Sequence, residues 1–223
     1  MSDTDSFIDE VTEEVRRDRL FGYLRRYGWI AVLVVVLIVG GASWSEFRKA
    51  QNRAAAQDLG DAMIAALAEN EPGARAEALS GLDAQTPGSA AVLQLMVSAF
   101  QSESDQTDAA VAGLNAVATD GDVPEIYRQI ASFKALILQS DTMPAADRRV
   151  QFEALAAPGA PLRLLAEEQL ALIDMSEGLT GPAIDRLQAI LQDAEVTPAL
   201  QQRVTQVIVA LGGTPQALPG ANG

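Results

Sequence analysis

The chain of 223 residues contains no cysteine, no histidine, only two lysines (Lys49 and Lys134) and few aromatics. Without cysteine there is no disulfide framework, no thiolate zinc site and no thiol nucleophile. Without histidine the commonest general base and the commonest metal ligand are missing. Basic residues are also scarce. The net charge of −14 argues against nucleic acid as a partner, because phosphate binding needs clustered Lys and Arg. No cofactor and no metal are expected, and no enzymatic activity.

Charge is absent altogether from one stretch, Tyr27 to Ser45, "YGWIAVLVVVLIVGGASWS". As a helix rising about 1.5 Å per residue it spans about 28 Å, close to the hydrocarbon thickness of a bilayer. A strand buried in a soluble core stops after roughly 4–8 residues. Tyr27, Trp29 and Trp44 stand at the two ends, where amphipathic rings favour the membrane interface. A transmembrane helix over 27–45 is therefore expected. Gly40-Gly41-Ala42-Ser43 admits a second reading as a cleavage site. However, the 26 residues ahead of the span hold seven acids, unlike a short basic leader, so the anchor is read as retained. Gly40 and Gly41 are a possible helix-packing surface; small residues are also simply tolerated in lipid.

Orientation follows the basic residues. Five arginines lie in 1–26, against Arg48, Lys49 and Arg53 beyond the span. The positive-inside rule then places 1–26 in the cytoplasm and 46 onward across the membrane, which in a bacterium is the periplasm. Residues 1–26 read as an amphipathic stub, with Phe7, Ile8, Val11 and Val15 on one side and Ser6 as a cap. It is either an orienting tail or a docking helix for a membrane partner.

The remainder, 46–211, is rich in Ala and Leu and broken by Pro and Gly into helices at about 74–83, 88–101, 105–119, 123–139, 144–156, 160–177, 180–193 and 197–211. No stretch alternates long enough for a strand. Short connections imply antiparallel helix hairpins, which begin near 88, 123 and 160. A step of roughly 34–37 residues is the period of helix-turn-helix solenoids, and tetratricopeptide units have 34. The clearest copy is "EQLALIDMSEGLTGPAIDRLQAI". There Leu170, Ala171, Gly178, Ala183 and Leu187 take the small and large apolar positions where paired helices approach. Val97-Ser98, Ala110 and Leu114 repeat the pattern with Asp105 in place of the glycine. A generic Ala/Leu bundle is the alternative. Residues 212–223, "GGTPQALPGANG", read as a disordered tail. The fold class is thus all-α: one N-terminal transmembrane helix, then a degenerate tetratricopeptide-like solenoid.

A search for chemistry returns little. Lys134 lies two residues from Ser132 on a helix, so the two point apart and form no serine–lysine dyad. The acid pairs Glu167-Glu168 and Asp120/Asp122 read as solvated faces. "SESDQTD" at 102–108 lacks the glycine and closing glutamate of a calcium loop and reads as capping.

The stub "DEVTEEVRRDRLFGYLRRYG", the single span and the closing "VTPALQQRVTQVIVALGG" together resemble the YfgM-like family of ancillary SecYEG translocon subunits, of alphaproteobacterial type. The likeness runs over residues 5–212. It implies an inner-membrane protein with a periplasmic repeat domain that associates with the SecYEG channel and with periplasmic chaperones such as PpiD. It brings no catalytic residues. On this expectation the partners are the bilayer, the channel, chaperones and protein or peptide clients, and no nucleic acid. An assembly or stabilising subunit of another inner-membrane complex, respiratory or envelope, is the alternative.

Overall fold

The computed structural model describes the backbone of residues 3–216 and the side chains of 29, 30 and 33–216. Among the described residues every regular element is a helix. α1 (Asp3–Leu67) is followed by α2 (Pro72–Ser80), α3 (Pro87–Glu103), α4 (Thr107–Thr119), α5 (Glu125–Leu138), α6 (Ala145–Leu155), α7 (Arg163–Ser176), α8 (Thr180–Leu191) and α9 (Pro198–Ala210). The chain divides into two units between Asp58 and Leu59.

The first unit is helical backbone from Asp3, so Ser6 lies within the first turns rather than ahead of them. The stub's side chains lie outside the described residues, as do Tyr27, Gly28, Ala31 and Val32 of the span read over 27–45. Among the described residues no helix is long and apolar enough to cross a membrane. What is described of the stretch is wholly exposed. Leu33, Val34, Val35, Val36, Leu37, Ile38 and Val39 are seven consecutive large apolar side chains, each between 46% and 65% accessible.

The second unit begins with the last turns of α1, whose Met63, Ala66 and Leu67 pack on Leu79, Leu93 and Val97 of α2 and α3. α1 stops where Pro72 follows, and the Arg75 guanidinium of α2 donates to the Glu69 carbonyl at 2.7 Å, holding the turn between the two helices. α3 opens on a capping box: Thr86 Oγ1 accepts from the Ser89 N–H at 3.1 Å, and Ser89 Oγ accepts from the Thr86 N–H at 3.1 Å. α9 opens on Thr197, whose Oγ1 accepts from the Leu200 N–H at 3.3 Å, with Pro198 in its first turn.

Each core cluster links three consecutive helices. Ala91, Leu114, Val117, Ala131 and Ala135 join α3, α4 and α5. Leu136, Phe152, Leu155, Ala166, Leu170 and Ile173 join α5, α6 and α7, with Phe133 edge-on to Phe152 at 5.7 Å. Ala171, Leu187, Ile190, Leu191, Leu200, Val204 and Ile208 join α7, α8 and α9. Burying one such Leu, Ile or Phe contributes about 1.5–3 kcal/mol. The hairpins start at Pro87, Glu125 and Arg163, evenly spaced and a few residues wider than a 34-residue unit.

The α3–α4 and α7–α8 hairpins share burial at matching positions and the same turn bond. Leu170, Ala171, Ala183 and Leu187 are buried, and so are Val97, Ser98, Ala110 and Leu114. Between the paired helices Gly178 has φ 78° and Asp105 has φ 61°. Both sit at the same point of the same helix end: the Leu179 N–H donates to the Asp174 carbonyl at 2.8 Å, and the Gln106 N–H to the Gln101 carbonyl at 2.8 Å. The segment 102–108 is thus a helix-to-helix turn, in which Ser104 Oγ donates to the Phe100 carbonyl at 2.9 Å.

Of the closing segment, residues 217–223 lie outside the described residues. Ahead of them, Gln188 of α8 holds the chain on two sides. Its Nε2 donates to the Thr214 carbonyl at 2.7 Å, and its Oε1 accepts from the Gln216 N–H at 3.0 Å.

Candidate functional site

Three regions of the molecule have properties beyond packing. The first is the exposed stretch of α1. Trp29 is 64% and Trp44 61% exposed, at either end of the apolar run. Trp44 faces Phe47 at 6.5 Å, and the Arg48 guanidinium lies over the Trp44 ring at 5.3 Å. These three are spaced i, i+3, i+4, so one helix face joins two aromatic rings to a cation. Around Gly40 and Gly41 an added Cβ would meet open space, so nothing in the described chain packs on them.

The second is a line of ion pairs on α6 to α9. Asp174 is buried, and its two oxygens meet Arg149 at 2.8 Å and Arg186 at 3.2 Å. Arg149 also pairs with Glu177 at 2.7 Å, and Arg186 with Glu167. Arg203 grips Glu168 with two parallel bonds of 2.9 and 2.7 Å. Arg163 bridges Asp193 at 2.9 Å and Glu195 at 2.8 Å. The hydrogen bond to Asp174 raises Arg149 above its ordinary value, and that to Glu168 raises Arg203. Asp193 is held below the usual carboxylate range, chiefly by the Glu195 N–H it accepts and then by Arg163. These arginines are already neutralised by carboxylates of their own chain, so they form joints between helices rather than a docking site for an anion.

This corrects the sequence reading of Glu167-Glu168 as a solvated face. Glu168 is only 9% exposed and Glu167 is engaged by Arg186. The pairing was invisible in the sequence because its arginines lie on α8 and α9, far along the chain. A run of two acids on an otherwise apolar helix was the only local signal.

The third region comprises the grooves between helices. One of about 530 Å³ runs between α7 and α8, walled by Leu164, Pro182, Ala189 and Ile190 and edged by the paired Arg163 and Arg186. A smaller one of about 240 Å³ lies between α3 and α5 over α4. Leu95, Ala99, Leu114, Ile137 and Leu138 form its walls, and Ser98, Ser102, Glu103 and Lys134 supply its polar atoms. Neither Glu103 nor Lys134 has an ion-pair partner among the described residues. Lys134 figured in the sequence only as half of a rejected dyad, and Ser98 only as a packing position.

No group of three or more acidic side chains that could hold a metal ion occurs among the described residues. No family model, no curated protein and no solved structure matches the chain.

Proposed function

We propose that the chain is a membrane-anchored interaction protein. α1 crosses the bilayer over residues 27–45 with the N-terminal stub in the cytoplasm, and the residues beyond form a tetratricopeptide-like hairpin domain in the periplasm. Its role is that of an ancillary subunit of the SecYEG channel, connecting export to periplasmic chaperones. The observation that carries the anchor is the run Leu33–Val39. Seven large apolar side chains cover every face of a helix and none is buried. In water that exposure is strongly unfavourable, each side chain forgoing about 1.5–3 kcal/mol, whereas in hydrocarbon it is the favoured state. Trp29 and the Trp44–Phe47–Arg48 face suit the two interfaces.

The role at the channel rests on the sequence layout and on a domain whose features are interaction surfaces. A photoreactive amino acid at Val35 or Ile38 of the full chain in intact membranes tests both parts. Cross-links to channel subunits, with the protein retained in the membrane after alkaline carbonate, are the expected result. Release by carbonate sinks the anchor. Retention with cross-links only to a respiratory or envelope complex sinks the channel assignment and installs the alternative.

A further inference from the structure

We infer that the groove between α3 and α5 binds an extended peptide segment carrying an aliphatic side chain between one basic and one acidic residue. The inference rests on reading the hairpin domain as an interaction domain and is independent of the membrane anchor.

The groove's volume of about 240 Å³ lies below the roughly 300–1,000 Å³ typical of small-molecule sites. It matches a single side chain entering from a longer ligand. Its walls are aliphatic: Leu95 and Ala99 from α3, Leu114 from α4, Ile137 and Leu138 from α5. Ile137 is 39% exposed, so the apolar surface is open to an incoming group.

The floor is polar and held in place. Ser98 is 1% exposed, and its Oγ accepts from the Gln94 side chain at 3.2 Å. The Gln94 amide fills the space that Gly113 of α4 leaves open, where an added Cβ would collide with it.

The rim carries one charge of each sign, Glu103 ending α3 and Lys134 on α5, neither neutralised by a described neighbour. In an extended segment, residues i−2, i and i+2 point to one face at about 3.3 Å per residue. An aliphatic residue in the groove therefore places residues of opposite sign along the rim. Every lining residue belongs to a helix, most of them to helix interiors whose N–H groups are committed to the helix. The backbone nest that captures a chain's terminal carboxylate is thus missing, and the acid is a side chain.

The test uses the full chain in lipid nanodiscs and fluorescence polarisation of end-blocked peptides, GKALAEG and its reverse order. One order binds saturably. Serine in place of the peptide's leucine, or Lys134→Glu in the protein, weakens it about tenfold or more. The Lys134→Glu protein regains affinity for the doubly basic GKALAKG. Lys134 is exposed, so this variant folds; Ala99→Leu, checked for an unchanged melting temperature, weakens binding by filling the slot. Absence of saturable binding by either order overturns the proposal. So does binding indifferent to both leucine and Lys134, or binding confined to peptides with a free carboxyl terminus. Failure here with channel cross-links intact leaves the proposed function standing, and peptide binding without those cross-links does the reverse.

Discussion

Asp174 has 3% of its surface exposed, and a lone carboxylate so placed would strongly destabilise the fold. Two arginines from different helices offset that cost, joining α6, α7 and α8 through one side chain. Asp174→Asn leaves Arg149 and Arg186 partly unpaired at a half-buried site. The expected loss is about 2–4 kcal/mol in urea unfolding, below the range for a fully buried pair because both arginines retain contact with water. Nothing in the sequence marked Asp174: an acid within "ALIDMSEG" resembles any solvated helix position until the fold brings Arg149 and Arg186 to it. Asp193 makes a prediction about acid. Its folded-state pKa is depressed, so its stabilisation is present above the unfolded carboxylate pKa of about 3.9 and fades as pH falls through the lower folded value. Asp193→Asn is expected to unfold at lower temperature than wild type at pH about 6, with the gap narrowing towards pH about 3, read by thermal melts.

At the scale of the element, helix ends decide the register of the hairpins. The sequence showed where they fall because Pro and Gly mark them, and the expected and observed helices agree to within a few residues. Asp105 was harder. It stands where the better copy has Gly178, yet both adopt left-handed backbone and close the same bond across the helix end. Aspartate tolerates that conformation better than most residues, which is how a degenerate sequence keeps the turn. Gly178→Ala is expected to cost about 1–2 kcal/mol, the penalty for a Cβ in left-handed backbone, observable as a lowered denaturant midpoint with unchanged slope. α9 has a different task. Leu200, Val204 and Ile208 cover the α7–α8 core, Arg203 reaches Glu168 of α7, and Gln202 and Gln206 face water. A chain ending before Pro198 exposes that cluster, and a rise in ANS fluorescence with oligomers on size exclusion is the expected outcome.

For the whole molecule, composition and periodicity carried most of the architecture. An uncharged apolar run and evenly broken Ala/Leu helices need no long-range information to be recognised. What they could not carry are features made by residues distant in sequence: the ion-pair line of α6 to α9, the close approach at Gly113 and the groove between α3 and α5. The order of packing, each helix on its neighbours in the chain, leads to local rather than global loss of structure. Hydrogen exchange is expected to give graded protection along the hairpins, strongest around Leu136, Phe152 and Leu170 and weakest in α2, instead of a single plateau.

Lys134 at the groove's edge has one more consequence. The other lysine, Lys49, belongs to the first unit, paired with Glu46 at 2.9 Å. Amine-directed reagents therefore meet one side-chain target in the whole hairpin domain, and it lies on the groove itself. Acylation of that single amine serves as a footprint: a ligand seated in the groove is revealed by the loss of one mass-tagged peptide. With no cysteine anywhere in the chain, a second handle of free choice can be added without competing for the label.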